Sequence, residues 1–155
     1  MNYILYDYPQ NGCEKSFIVE QIKYDLQEVY SPAYNKKIFR WILGVIDVIR
    51  KSSKNDIIVC WFDFQAILCF WICKLFFLKR KIVCINLMLK DKQTKLNKIV
   101  GWCYKKAVQS HHFIASVTSV AYGEYLKERL EPNKNFFLLH DVYHDNYQHE
   151  VVNVK

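Results

Sequence analysis

The residues of this 155-residue chain best suited to chemistry fall into two sets. Asp63 and His140 are the candidates for proton transfer, since a carboxylate can act as a base and an imidazole titrates near neutrality. His140 is followed by Asp141, a neighbour able to position its ring. Asn11, Gly12, Asn86, Ser116, Thr118 and Ser119 form the second set, as candidates for substrate contact. Gly12 lets a substrate approach the backbone, and hydroxyls at the start of a helix can meet an anion. Each position also has a structural reading. Asn11 and Gly12 suit a turn, Asp63 a helix N-cap, and Ser116 to Ser119 the cap of another helix. His111 and His112 open a strand and read as surface or turn residues. No triad or paired-carboxylate site follows from spacing alone.

Several chemistries lack their signatures. Gly12, Gly44, Gly101 and Gly123 stand too far apart for a dinucleotide fingerprint or a P-loop, both of which need closely spaced glycines to bring backbone to phosphate. Neither a GxSxG elbow nor an HExxH pair occurs. Cys69 and Cys73 are one helical turn apart, yet no CxxC or paired histidine accompanies them, so no metal site is expected. Cys60, Cys69, Cys73, Cys84 and Cys103 sit in apolar runs and read as reduced, buried thiols. "MNYILYDYPQ" has neither a basic start nor a long apolar run, which disfavours export and points to the cytoplasm.

The elements that must hold these residues alternate. "NYILY" reads as a strand and is followed by the turn-like "DYPQNG"; apolar residues from Cys13 to Leu26 recur at helical spacing, and "QEVYS" reads as a second strand. Lys36 to Lys51 is an amphipathic helix, with Gly44 assigned to its polar side. "DIIVCWF" and "KIVCINLML" are continuous apolar runs of strand length, as in parallel strands covered on both faces. Thr94 to Gln109 reads as a basic helix with Leu96, Ile99, Val100, Cys103 and Ala107 inward. "HFIAS", "SVAYGEYLKERL" and "NFFLLH" then give strand, helix and strand. The expectation is an α/β fold: one Rossmann-like, three-layer domain with a mostly parallel sheet of about six strands and helices on both faces. Ligands of such sheets bind at the carboxyl ends of the strands, where both candidate sets fall.

"FQAILCFWICKLFFLKRK", Phe64 to Lys81, is the most apolar stretch. Its apolar part is shorter than the roughly 20 residues a spanning helix needs, and it lies between two strands, so a buried crossover helix is expected. Between Lys36 and Lys106 sixteen basic residues face four acids, whereas the flanks hold six basic and eleven acidic residues. The centre is thus strongly positive, which favours an anionic partner. Lys or Arg interleaved with Phe39, Trp41, Trp102 and Tyr104 matches helices that rest on anionic bilayers. Nucleic acid is disfavoured because no binding module is present.

With this layout, "NYILYDYPQNGCEKSF", "NDIIVCWFDFQAIL", "KIVCINLML", "LNKIVGWCYKKAV", "HFIASVTSVAYGEYL" and "NFFLLHDVYHDNY" resemble the N-terminal, acceptor-binding domain of GT-B glycosyltransferases. The resemblance covers residues 1–147. It implies a domain that binds a glycan or lipid-linked acceptor and holds no cofactor itself. The nucleotide-sugar donor belongs to a second Rossmann domain, toward which residues 148–155 lead as a linker. On this basis Asn11, Gly12, Asn86, Ser116, Thr118 and Ser119 are acceptor-side residues, with Asp63 or His140 a base if one is needed. Glu20 and Glu28 have the spacing of the family's donor-domain glutamates but lie in the wrong context. The resemblance further implies a partner donor-binding domain or subunit, and work at the inner face of a membrane. The alternative is a noncatalytic membrane-surface subunit or a basic binding module that recruits a partner.

Overall fold

The computed structural model describes residues 1–7, 26–89 and 94–139. β1 (Asn2–Tyr6) and β3 (Ile57–Cys60) lie side by side inside the sheet, and both are made of the bulky apolar residues that parallel pairing buries on two faces. β2 (Leu26–Tyr30) pairs with the free side of β1; β4 (Lys81–Cys84), β5 (Phe113–Val117) and β6 (Phe137–Leu138) extend the sheet beyond β3. All five pairings are parallel, in the order β2-β1-β3-β4-β5-β6. This is the Rossmann-like α/β arrangement expected, although the described helices all pack on one face of the sheet rather than on both.

Four helices are seen among the described residues. α1 (Lys37–Lys51) joins β2 to β3, α2 (Asp63–Leu75) joins β3 to β4, α3 (Lys95–Val108) joins β4 to β5, and α4 (Val120–Leu130) joins β5 to β6. The side-chain period of two divides each strand between the faces. Tyr3, Leu5, Ile58, Cys60, Ile82, Cys84, Phe113 and Ala115 pack with all four helices in one core. Ile4, Tyr6, Val59 and Ile85 form a second buried cluster on the opposite face. Of the helix expected over Cys13 to Leu26, residues 13–25 lie outside the described residues, and Leu26 instead opens β2.

α2 is the crossover helix expected, with Gln65, Ala66, Ile67, Cys69, Phe70 and Cys73 all buried. No helix among the described residues is long and apolar enough to cross a membrane. Two helical faces differ from expectation. Gly44 is buried, not on the polar side of α1, because α1 comes so close to Ser31 that a Cβ on Gly44 would lie 2.3 Å from the Ser31 Oγ. In α3 the buried residues are Tyr104, Ala107 and Val108, whereas Leu96 and Ile99 are exposed. Tyr104 carries the helix inward because its hydroxyl finds a partner beneath, so the stripe that packs is rotated from the purely aliphatic one.

Candidate functional site

Strand order reverses between β1 and β3, and the crevice at the carboxyl ends of strands flanking such a switch point is where open α/β sheets hold ligands. On the β1 side, Asp7 receives both Nε and Nη2 of Arg40 at 2.6 and 2.7 Å, a fork that ties the start of α1 to the end of β1. Behind it, the Tyr6 carbonyl accepts both the N–H and the hydroxyl of Ser31 at 3.0 and 3.1 Å. Gln65 Nε2 donates to the same Ser31 Oγ at 3.1 Å. Ser31 and Gln65 are both fully enclosed, and Gly44 supplies the room they occupy. Asn11 and Gly12, the expected substrate loop after β1, lie outside the described residues, as does His140.

Asp63 follows β3, but as the first residue of α2; the N-cap position belongs to Phe62, whose side chain makes no cap bond. Asp63 Oδ1 accepts the N–H of Phe64 at 2.7 Å, and its Oδ2 accepts the Tyr104 hydroxyl at 2.8 Å. A carboxylate in the first turn also meets the favourable end of the helix dipole. Both Asp63 oxygens thus have a donor. Burial, and then the Asp63 charge, push the Tyr104 phenol well above its ordinary pKa, so it remains a donor at any physiological pH.

The remaining candidates line the next two strands. β3 and β4 end opposite each other at Cys60 and Cys84, while β5, with Ala115 opposite Cys84, runs on to Val117. Asn86 turns the chain after β4 with φ 56°, a left-handed conformation that asparagine tolerates better than most residues. That turn aims its N–H at Ser116 Oγ, 3.1 Å away, while Leu87 N–H reaches the Ser116 carbonyl at 2.8 Å. Asn86 and Ser116 are therefore brought together, with Ser116 buried and Asn86 half-exposed. Ser119 is the N-cap of α4, its Oγ accepting the Tyr122 N–H at 3.2 Å, and Thr118 is partly exposed beside it. The Tyr122 hydroxyl in turn accepts the Leu89 N–H at 2.7 Å and ties the segment after β4 to α4. Among the described residues no cluster of three or more His, Cys, Asp or Glu is placed to hold a metal.

Ser31, Gln65 and Arg40 are site-supporting residues that sequence reasoning passed over, and Tyr104, expected among the aromatics facing a bilayer, is instead buried with its hydroxyl on Asp63. A tyrosine on the inward stripe of α3, a lone amide inside an apolar helix and a glycine among bulky helix residues are the signals that point to them. The edge as a whole presents a row of hydroxyl, amide and carboxylate groups, which can hold a polyhydroxylated molecule by hydrogen bonds. No protein-family model, curated protein or solved structure matches this chain.

Proposed function

We propose that this chain is the acceptor-binding half of a glycosyltransferase, working at the cytoplasmic face of a membrane on a glycan or lipid-linked acceptor. What supports this most is the carboxyl edge of the sheet. Asp63 and Asn86 follow β3 and β4, whose last residues lie opposite each other, and Thr118 follows β5 on the same edge with Ser116 buried beneath Asn86, so one extended ligand can reach Asp63, Asn86 and Thr118. Their neutral amides and hydroxyls suit sugar hydroxyls, and the widely spaced glycines leave no phosphate cradle for a nucleotide. The donor, a nucleotide sugar, is then held by a second Rossmann-like unit across the cleft.

In the transfer, an acceptor hydroxyl oxygen bonds to the anomeric carbon, the bond from that carbon to the nucleoside diphosphate breaks, and the hydroxyl proton leaves. Asp63 is held by Phe64 and Tyr104, so its role is to orient the acceptor through a remaining lone pair, with proton removal possible at the same oxygen. Half a cleft forfeits the positioning that supplies much of the rate. Transfer from a panel of nucleotide sugars is therefore expected only when the chain is joined to a donor-binding domain or subunit. Full transfer by the isolated chain would sink the half-enzyme reading, and silence in both forms would favour a noncatalytic recruiting subunit.

A further inference from the structure

The helices facing away from the sheet have an outer surface unlike that of a solvated layer. On α2, Phe64, Leu68, Trp71 and Leu75 fall within an arc of about 60° at 100° per residue, opposite buried Ala66, Cys69 and Cys73. The outward side of the central helix is thus apolar from end to end. Aromatic pairs join it to its neighbours: Trp41 of α1 meets Phe64 at 4.9 Å, and Trp102 of α3 stacks on Trp71 at 5.3 Å. Around this seam Ile38, Phe39, Leu96, Ile99 and Trp102 are 52 to 69% exposed. Contiguous apolar surface of this kind marks an interaction site.

Charge decides the occupant. Lys36, Lys37, Lys74, Lys95, Lys98 and Lys106 are exposed on the same three helices or at their ends. Lys37 lies over Trp41 at 4.7 Å and Lys74 over Trp71 at 4.9 Å, so cations stand at the rim of the apolar seam. The acids among the described residues from Lys36 to Val108 are already engaged: Asp47 with Lys51, Asp56 with the Met1 ammonium and Asp63 with Tyr104. A second copy of this chain would bring two positive faces together, which is repulsive. A surface that takes apolar side chains between anionic groups is complementary to both features.

We propose that the outer surface of α1, α2 and α3 seats on an anionic lipid bilayer, with Phe39, Ile99 and Trp102 entering the headgroup boundary and the surrounding lysines meeting lipid anions. This deepens the peripheral-membrane part of the proposed function and requires none of its transfer chemistry. It also sets an orientation. α1 follows the carboxyl end of β2 and α3 that of β4, so Ile38, Phe39 and Leu96 in their first turns, and Ile99 at the start of the second turn of α3, lie toward the carboxyl edge. The candidate acceptor site therefore sits close to the lipid surface, within reach of an acceptor anchored in it.

Co-sedimentation of the full chain with vesicles tests this without donor or acceptor, so its outcome is separate from that of the transfer assay. The chain is expected to bind vesicles of equal parts phosphatidylglycerol and phosphatidylcholine and to bind phosphatidylcholine alone at least about tenfold more weakly. Phe39→Glu with Ile99→Glu, judged folded by circular dichroism, should lower binding by about tenfold or more. Lys36→Gln with Lys98→Gln, at exposed positions, should lower it as well and serves if the first pair misfolds. Absence of binding to the anionic vesicles, equal binding to both compositions, or wild-type binding by both variant pairs would overturn the proposal. Loss of binding alongside a protein partner that the same substitutions release would reassign the face to protein contact.

Discussion

At the scale of single residues, the Asp63–Tyr104 contact links the candidate site to the core. Tyr104→Phe removes the donor at Asp63 Oδ2 while keeping the buried ring, and hydrogen bonds to charged groups contribute about 1.5–3 kcal/mol. Urea unfolding should register a loss of roughly that size; a change below about 0.5 kcal/mol would mean that water replaces the phenol. The pH dependence follows from the direction of the shift. Burial first, and the Asp63 charge second, raise the Tyr104 pKa, so the folded state favours the protonated phenol. That contribution is fully present below the ordinary tyrosine value of about 10 and is lost as pH rises beyond it. Tyr104→Phe should accordingly blunt alkaline destabilisation. The thiols give a second residue-scale prediction. Cys60, Cys69, Cys73 and Cys84 are buried and free; the hydrogen bond of the Cys69 thiol to Cys60, then burial, raises Cys69, and burial raises Cys84. Ellman's reagent at pH 8 should label these four only after denaturant is added, and mass mapping of early label onto any of them would show that the core opens readily.

At the scale of elements, the two helical glycines make opposite predictions. Gly44→Ala would normally favour an α-helix by about 1 kcal/mol, but here the new Cβ meets Ser31 Oγ at 2.3 Å and Ser31 Cα at 3.1 Å. Ser31 is pinned by Tyr6 and Gln65, so overpacking should win, with a net loss of about 1–3 kcal/mol. Gly101→Ala meets nothing within 4 Å and should gain about 0.5–1 kcal/mol, seen as a raised urea midpoint. The same contrast explains what was legible in the sequence. The β-branched runs at Ile57 and Lys81 announced buried parallel strands, and Ser119 announced its helix cap, because strand burial and capping depend on local residue type. Gly44, Leu96 and Ile99 were misplaced because helix rotation is set by a distant neighbour: Ser31 for α1, and Asp63 beneath Tyr104 for α3. Asp63 and Asn86 were placed at the carboxyl edge of the sheet because strand ends are legible from residue type, whereas Ser116, expected just past its strand, lies within β5. The pairings of Tyr104 with Asp63 and of Gln65 with Ser31 were not legible, since only the folded sheet brings residues 41 and 34 positions apart into contact.

At the scale of the whole molecule, charge and apolar surface lie on the same layer, and ionic strength separates their contributions. The segment from Lys36 to Lys106 holds sixteen basic residues against four acids, while the flanks are net acidic. The field above α1 to α3 is therefore positive on a molecule whose remaining charge opposes it, so attraction to an anionic surface is directional rather than a property of net charge alone. Raising salt from about 0.1 M to about 1 M shortens the screening length from roughly 10 Å to roughly 3 Å. Lysine attraction through solvent should largely disappear over that range, while the apolar contribution of Phe39, Ile99 and Trp102 remains. Binding to anionic vesicles is thus expected to fall steeply and then level off above the value for Phe39→Glu with Ile99→Glu. A fall to nothing would assign the surface to electrostatics alone, with the exposed side chains idle. Binding that holds or strengthens in salt would mean that apolar burial dominates, as at a protein interface, and the lysines would then need another role.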